Sequence, residues 1–281
     1  MKRGLLAFLA VLSLSSGISA SPASAAHSSQ VIVTPTNTQG WTDAEPAATT
    51  RDGGAVTFVT DPTAPGSPNS GALQLTTPLL PLSAKAQYMH AAAVPLESVN
   101  QLSYYTKQVS GPPVADPSYQ VQVCLTGATP TTCGGFTTLV YEPYHNGGVS
   151  PGIWQWWDVD AGRFWSSRTV PCGPSAGETL VAGGGGAPFY TLATVRLLCP
   201  NAVVIAFGVN VGTNNPGYVV RTDLFNFNGT TYNFEPDAVC REKTNNKDKH
   251  KEKDNNKDGN KLPKCDKDSG DDDDDSGDSD D

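Results

Sequence analysis

The sequence predicts an all-β domain, an antiparallel two-sheet sandwich of the jelly-roll type with one short helix, followed by a disordered charged tail. Three observations carry this. About a dozen short runs of strand-forming residues are separated by turn signals. The 281 residues include 28 Gly and 22 Pro, with only 17% charged, a balance that favours strands and turns over helices. A single segment carries helical spacing with a start and a stop signal.

In order, Met1–Ala25 has the marks of a secretory signal: Lys2 and Arg3, an apolar run from Leu5 to Leu14, and the small-residue site Ala23-Ser24-Ala25. Residues 26–240 are expected to form the sandwich, roughly 215 residues being ample for one hydrophobic core. Expected strands are 28–35, 55–60, 72–77, 86–91, 102–108, 119–125 and 136–141; Trp41 falls in the loop after the first. Residues 173–188 read as a long loop with four consecutive glycines, which lacks the Lys-Ser/Thr of a phosphate loop. Thr191–Cys199 is the expected helix, capped by Thr191 and ended by Pro200-Asn201. Residues 202–211 are apolar on both alternations and are expected as the central buried strand. Strands at 218–227 and 231–234 close the domain.

From 241 to 264 the chain holds nine Lys/Arg against five Asp/Glu; from 265 to 281, ten Asp against one Lys. Such opposed blocks with almost nothing apolar predict a disordered polyampholyte. The net charge of −9 is therefore not one field, the two tail blocks being opposed and the folded part only mildly acidic, and nothing suggests a nucleic-acid partner. No apolar segment approaches the length of a membrane span, so a released, extracellular protein without membrane insertion is expected.

Secretion places the six cysteines in an oxidising compartment, where disulfides are the default. Proximity predicts Cys124–Cys133 and Cys172–Cys199, leaving Cys240 and Cys265 paired only by elimination.

The segment Gly152–Val170, GIWQWWDVDAGRFWSSRTV, holds four of the five tryptophans. Asp160-Ala161-Gly162 suits a three-residue hairpin loop, with Gly162 at the positive-φ position. That register places Ile153, Trp157, Val159 and Trp165 on a core face. Trp154, Trp156, Asp158, Phe164 and Arg168 share the other face, which mixes flat rings with charge as a ligand surface does. Glu142 and His145, in the preceding loop, complete the ligand-binding candidates.

The order FTTLVYEPY, GIWQWWDVDAGRFWSSR, PNAVVIAFGVNVGTNN and GYVVRTDLFNFNGTTYNFEP resembles a group of uncharacterised secreted bacterial proteins. Their jelly-roll domain is of carbohydrate-binding or lectin-like type and closes on a strand of the form vDnv…tydFEp. The resemblance implies the fold and an extracellular role, with no activity; Asp223 alone carries over from the "vDnv" part.

For chemistry, glycoside hydrolysis requires two carboxyl groups about 5–9 Å apart across a sugar. Asp158 and Asp160 have the spacing of the first acid pair in sandwich-fold glycosidases that resemble laminarinases, but no third acid follows and Asp160 belongs to the turn, so no such pair is placed. Glu142 with His145 is the remaining acid–base pair, and no nucleophile elbow or metal-binding His pair appears. In the tail, Asp254, Asn256 and Asp258 match the opening of a calcium loop, but Cys265 stands where the closing Glu belongs. No cofactor is thus expected. Calcium at these positions, and divalent cations along Asp271–Asp275, stand as the exceptions. The expectation that results is a non-catalytic recognition module for a glycan or cell-surface polymer. Its alternatives are a structural envelope or matrix protein without a small ligand and, third, a glycan-acting hydrolase.

Overall fold

A computed structural model describes residues 29–44, 48–66, 70–129, 131–173 and 178–237. The chain folds into β1 (Ser29–Val33), β2 (Trp41–Thr42), β3 (Ala55–Thr60), β4 (Gly71–Thr76), β5 (Ala86–Pro95), β6 (Ser103–Ser110), β7 (Ser118–Cys124), β8 (Phe136–Tyr141), β9 (Gln155–Asp158) and β10 (Phe164–Ser166). There follow β11 (Val170–Pro171), β12 (Thr179–Leu180), α1 (Leu192–Leu198), β13 (Val203–Val211), β14 (Val219–Phe227) and β15 (Thr230–Phe234). The expected strands recur within a few residues of their predicted ends, and Thr191 caps α1 by accepting from Thr194 N at 3.1 Å.

A six-stranded sheet runs β10-β8-β7-β13-β5-β2, with β13 at its centre as its unbroken apolar run requires. A seven-stranded sheet is built around β14. On one side β14 pairs with β6, and β6 with β9; on the other, Val219–Thr222 pair with β4 while Phe225–Phe227 pair with β15. At the fork Leu224 takes a φ of 45°. There Asp223 replaces the missing ladder bonds, its carboxylate accepting from Phe234 N at 3.0 Å and Gly66 N at 3.1 Å.

The two sheets meet through aromatic rings. Tyr119 of β7 stacks on Phe225 of β14 at 4.2 Å, and Phe207 of β13 on Phe227 at 3.8 Å. Trp41, expected in a loop, lies on β2 and is 2% exposed. It packs within 6 Å of Tyr88, Phe207, Phe225, Tyr232 and Phe234, and so forms the centre of this cluster.

The fold is thus mostly β, in more than one sheet, with one helix. It departs from a uniformly antiparallel, two-sheet arrangement in three places. β1 runs parallel to β15, the larger sheet forks, and β11–β12 form a separate pair. Both predicted disulfides are present, with Cα separations of 5.2 Å for Cys124–Cys133 and 4.7 Å for Cys172–Cys199. The signal segment, Cys240, Cys265, Asp254, Asn256, Asp258 and the rest of the tail lie outside the described residues.

Candidate functional site

The tryptophan segment is not a hairpin. β9 joins β6 in the seven-stranded sheet, whereas β10 joins β8 in the six-stranded one. The intervening turn carries the chain from one sheet to the other, with Val159 N and Asp160 N both donating to Leu102 O. Gly162 is needed for closeness rather than for a left-handed φ: a Cβ there would stand 2.2 Å from Tyr141 Cε2.

The exchange of sheets separates the six candidate residues into three places. Trp154, Trp156 and Asp158 lie on the outward face of the seven-stranded sheet. Glu142 and His145 sit beside β8 under the glycine-rich loop. Arg168, expected opposite Trp154, instead stacks over Phe136 at 5.0 Å. The expected core face is also corrected: Trp157 and Val159 are buried, but Ile153 is 60% exposed and Trp165 half-buried, while Phe164, assigned to the ligand face, is fully buried.

On the outward face, alternation along β9 and β6 turns Trp157, Tyr104 and Thr106 inward and Trp156, Tyr105 and Lys107 outward. Trp156 is 55% exposed and pairs across the ladder with Tyr105. Next to them Lys107 Nζ stands 5.9 Å from the centre of the Trp154 ring. A polar row then crosses the sheet, since Lys107 pairs with Arg221, Arg221 with Gln74, and Gln74 with Thr57. Asp61, from the segment after β3, brackets the two cations. Its Oδ2 accepts from Lys107 Nζ at 3.0 Å and Arg221 Nη1 at 2.8 Å, while Arg221 Nε donates to Gln74 at 3.0 Å. Burial alone would raise the Asp61 pKa, but hydrogen bonds from Thr63, Arg221 and Lys107 outweigh it and hold the carboxyl well below the usual range. Trp154 Nε1 is shielded yet has no hydrogen-bond partner among the described residues.

The second place is internally satisfied. Glu142 Oε2 accepts from Tyr144 OH at 2.7 Å and Trp165 Nε1 at 2.9 Å. His145 Nε2 lies 2.9 Å from Gly185 O; a carbonyl only accepts, so this nitrogen carries the proton. The tetraglycine packs on β10, where a Cβ at Gly183 would stand 2.6 Å from Trp165 Cβ. Arg163 lies over Phe189 at 5.3 Å and closes the cluster. Its polar atoms are spent on each other and on the loop. Among the described residues, no group of three or more His, Cys, Asp or Glu could hold a metal ion.

Asp61, Tyr105, Lys107, Gln74 and Arg221 were not anticipated. The legible signal is a lone cation inside each of two expected strands, Lys107 and Arg221.

No family model matches the chain, and no curated protein does. Among solved structures, an arabinose-bound α-L-arabinofuranosidase is similar over 69% of this chain and 23% of its own, at 10% identity and a TM-score of 0.35. The chain thus spans less than a quarter of that enzyme.

Proposed function

We propose that the protein is a secreted, non-catalytic module that binds glycans through the outward face of its seven-stranded sheet. The observation that carries this is Trp156, 55% exposed beside Tyr105 and flanked by Trp154 and the Lys107–Arg221–Gln74 row. Sugar rings offer apolar faces that stack on flat aromatics and hydroxyls that hydrogen-bond to such a row. Exposing an indole this far costs hydrophobic burial, so a ligand that covers it recovers free energy. The jelly-roll assignment belongs to the same reading. Successive strands change sheet repeatedly (β5 to β6 to β7, then β8 to β9 to β10) as in Greek-key sandwiches. The two disulfides fit an oxidising, extracellular setting.

Affinity electrophoresis through gels containing soluble plant and microbial polysaccharides tests the proposal. Retardation of the wild type by at least one polymer, lost in Trp156→Ala and kept in Arg168→Ala, is expected. A wild type that no polysaccharide retards removes the glycan reading and leaves a structural envelope role.

A further inference from the structure

The outward face sets two cations against one carboxylate. Lys107 and Arg221 both bond Asp61 Oδ2, and hydrogen bonds keep that carboxyl ionised at neutral pH, so the three together hold one surplus positive charge. They are not equally accessible: the Asp61 side chain is 3% exposed, those of Lys107 and Arg221 15% and 20%. A ligand arriving from solvent meets the cations, with the carboxylate beneath them. Both cations keep donors in reserve. Lys107 Nζ carries three protons and spends two, on Asp61 and on Thr63 Oγ1 at 2.9 Å. Arg221 uses Nε on Gln74 and Nη1 on Asp61, and its Nη2 has no acceptor among the described residues. The exposed acid of this face, Asp158, pairs with Ser103 on the far side of Tyr105 from Lys107 and leaves the surplus intact.

We propose, building on the glycan reading above, that the face selects an acidic polysaccharide, with the carboxylate of a uronic acid held by Lys107 and Arg221 while the sugar rings stack on Trp154 and Trp156. Three observations favour this ligand over a neutral one. The two cations are bonded to the same oxygen, so one small anion reaches both. Lys107 Nζ stands 5.9 Å from the centre of the Trp154 ring, so a sugar stacked on that ring brings a substituent on its rim to the ammonium. The Arg221 guanidinium is held in its plane by Gln74 and Asp61 and presents its remaining nitrogen edge-on, as a planar carboxylate requires. A single surplus charge matches a monoanion. A phosphate monoester, at about −1.5 to −2 near neutral pH, would leave charge unmatched.

The experiment is titration calorimetry of the whole protein with fragments of galacturonan, alginate and hyaluronan, each beside its uncharged methyl ester, and with sulfated dextran. At least one uronan should bind about tenfold tighter than its ester at low salt, and the preference should vanish in about 0.5 M NaCl, where exposed charges are screened. Lys107→Gln should cut the preference to about twofold, and Lys107→Arg should keep it. Binding of the ester by either variant, which needs the rings, shows that the face is still folded. An ester bound as tightly as its acid overturns the proposal and leaves the glycan reading standing; a protein that binds no polysaccharide, charged or neutral, removes both. A preference that survives Lys107→Gln also overturns it and assigns the effect to the basic block at 241–264. So does tighter binding of sulfated dextran than of any uronan, which would assign the two cations to a sulfate ester.

Discussion

Trp156 and Trp165 stand on either side of one turn and meet opposite fates. Trp156 leaves its indole in solvent beside Tyr105, with Lys107 and Trp154 alongside. Trp165 Nε1 donates a hydrogen bond to Glu142, which also accepts from Tyr144, under a glycine loop that His145 ties down. In one region polar and aromatic groups face outward in a row; in the other they are consumed in holding a loop. A ring of this kind serves the proposed binding only where the fold leaves its face in water. The difference arises at the turn, which sends the two segments to different sheets.

The largest effect that sharpens this contrast belongs to the residue beneath it. Trp157 is 6% exposed and donates to Thr106 Oγ1 at 2.7 Å. Trp157→Ala should therefore destabilise the fold by about 3–5 kcal/mol in denaturant unfolding. Trp165→Ala, half-buried at the sheet edge, should cost clearly less. Equal losses would mean that the Glu142 cluster is as much core as the inter-sheet layer.

The next effect is a pH dependence rooted in the same layer. Thr106 passes its hydroxyl proton's hydrogen bond to Asp116 Oδ2 at 2.7 Å. Burial raises the Asp116 pKa to about 7, against the lowering effect of the Thr106 bond. Burial likewise raises Asp223 to about 7 at the fork, partly offset by the bonds from Phe234, Leu224 and Gly66, with Glu235 adding to the rise. Between about pH 4 and about pH 7 the folded state holds protons that the unfolded chain has released, so stability falls as pH rises through that window. Asp61 has the opposite sign: its lowered pKa contributes stability above about pH 4 that is lost as the pH falls further. Melting temperature should thus peak near pH 4–5 in a thermal scan series, about where the two trends cross. Asp116→Asn should flatten the neutral side, and Asp61→Asn the acid side. A flat profile from pH 4 to 7 in the wild type would contradict the buried, protonatable Asp116.

How much of this was legible follows from where each residue's reason lies. The strands were readable because alternation is written locally: 55–60 and 136–141 have their predicted limits, and the apolar run at 203–211 does lie at the centre of its sheet. The hairpin was misread because Gly162 answers to the Tyr141 ring, a contact between chain segments that no local pattern records. Trp41 reads as a loop residue because its strand is two residues long; the cluster of rings from four other strands makes it core. The candidate face is half legible. Trp154, Trp156 and Asp158 do share a face, but Arg168 was placed by a hairpin register that does not form. Asp61 falls just past the expected strand 55–60 and carries no local signal, since its role depends on Lys107 and Arg221, distant in sequence.

A smaller effect tests the consumed region. Glu142→Ala removes the acceptor of both Trp165 Nε1 and Tyr144 OH, which stay within reach of water because all three side chains are half-buried. The loss should be about 1–2 kcal/mol. Amide exchange at Gly183–Gly186 should quicken, since the pinned loop loses its support. Unchanged exchange would mean that the loop is held by its packing on β10 alone.

The smallest expected change in stability is at the exposed end of the contrast, and its smallness is the point. Trp156→Ala removes a ring more than half in water, so unfolding free energy should shift by no more than about 0.5 kcal/mol. Trp154→Ala should cost somewhat more, because the Lys107 contact over its ring is worth about 0.5–1 kcal/mol at such a site. Retardation by polysaccharide should nevertheless be lost in the first and weakened in the second. Phe at position 156 should restore most of it, since stacking needs a flat ring more than an indole N–H. A large stability loss on Trp156→Ala would show that the ring is packed rather than open to solvent. In that case the outward face is covered, and the contrast with Trp165 disappears.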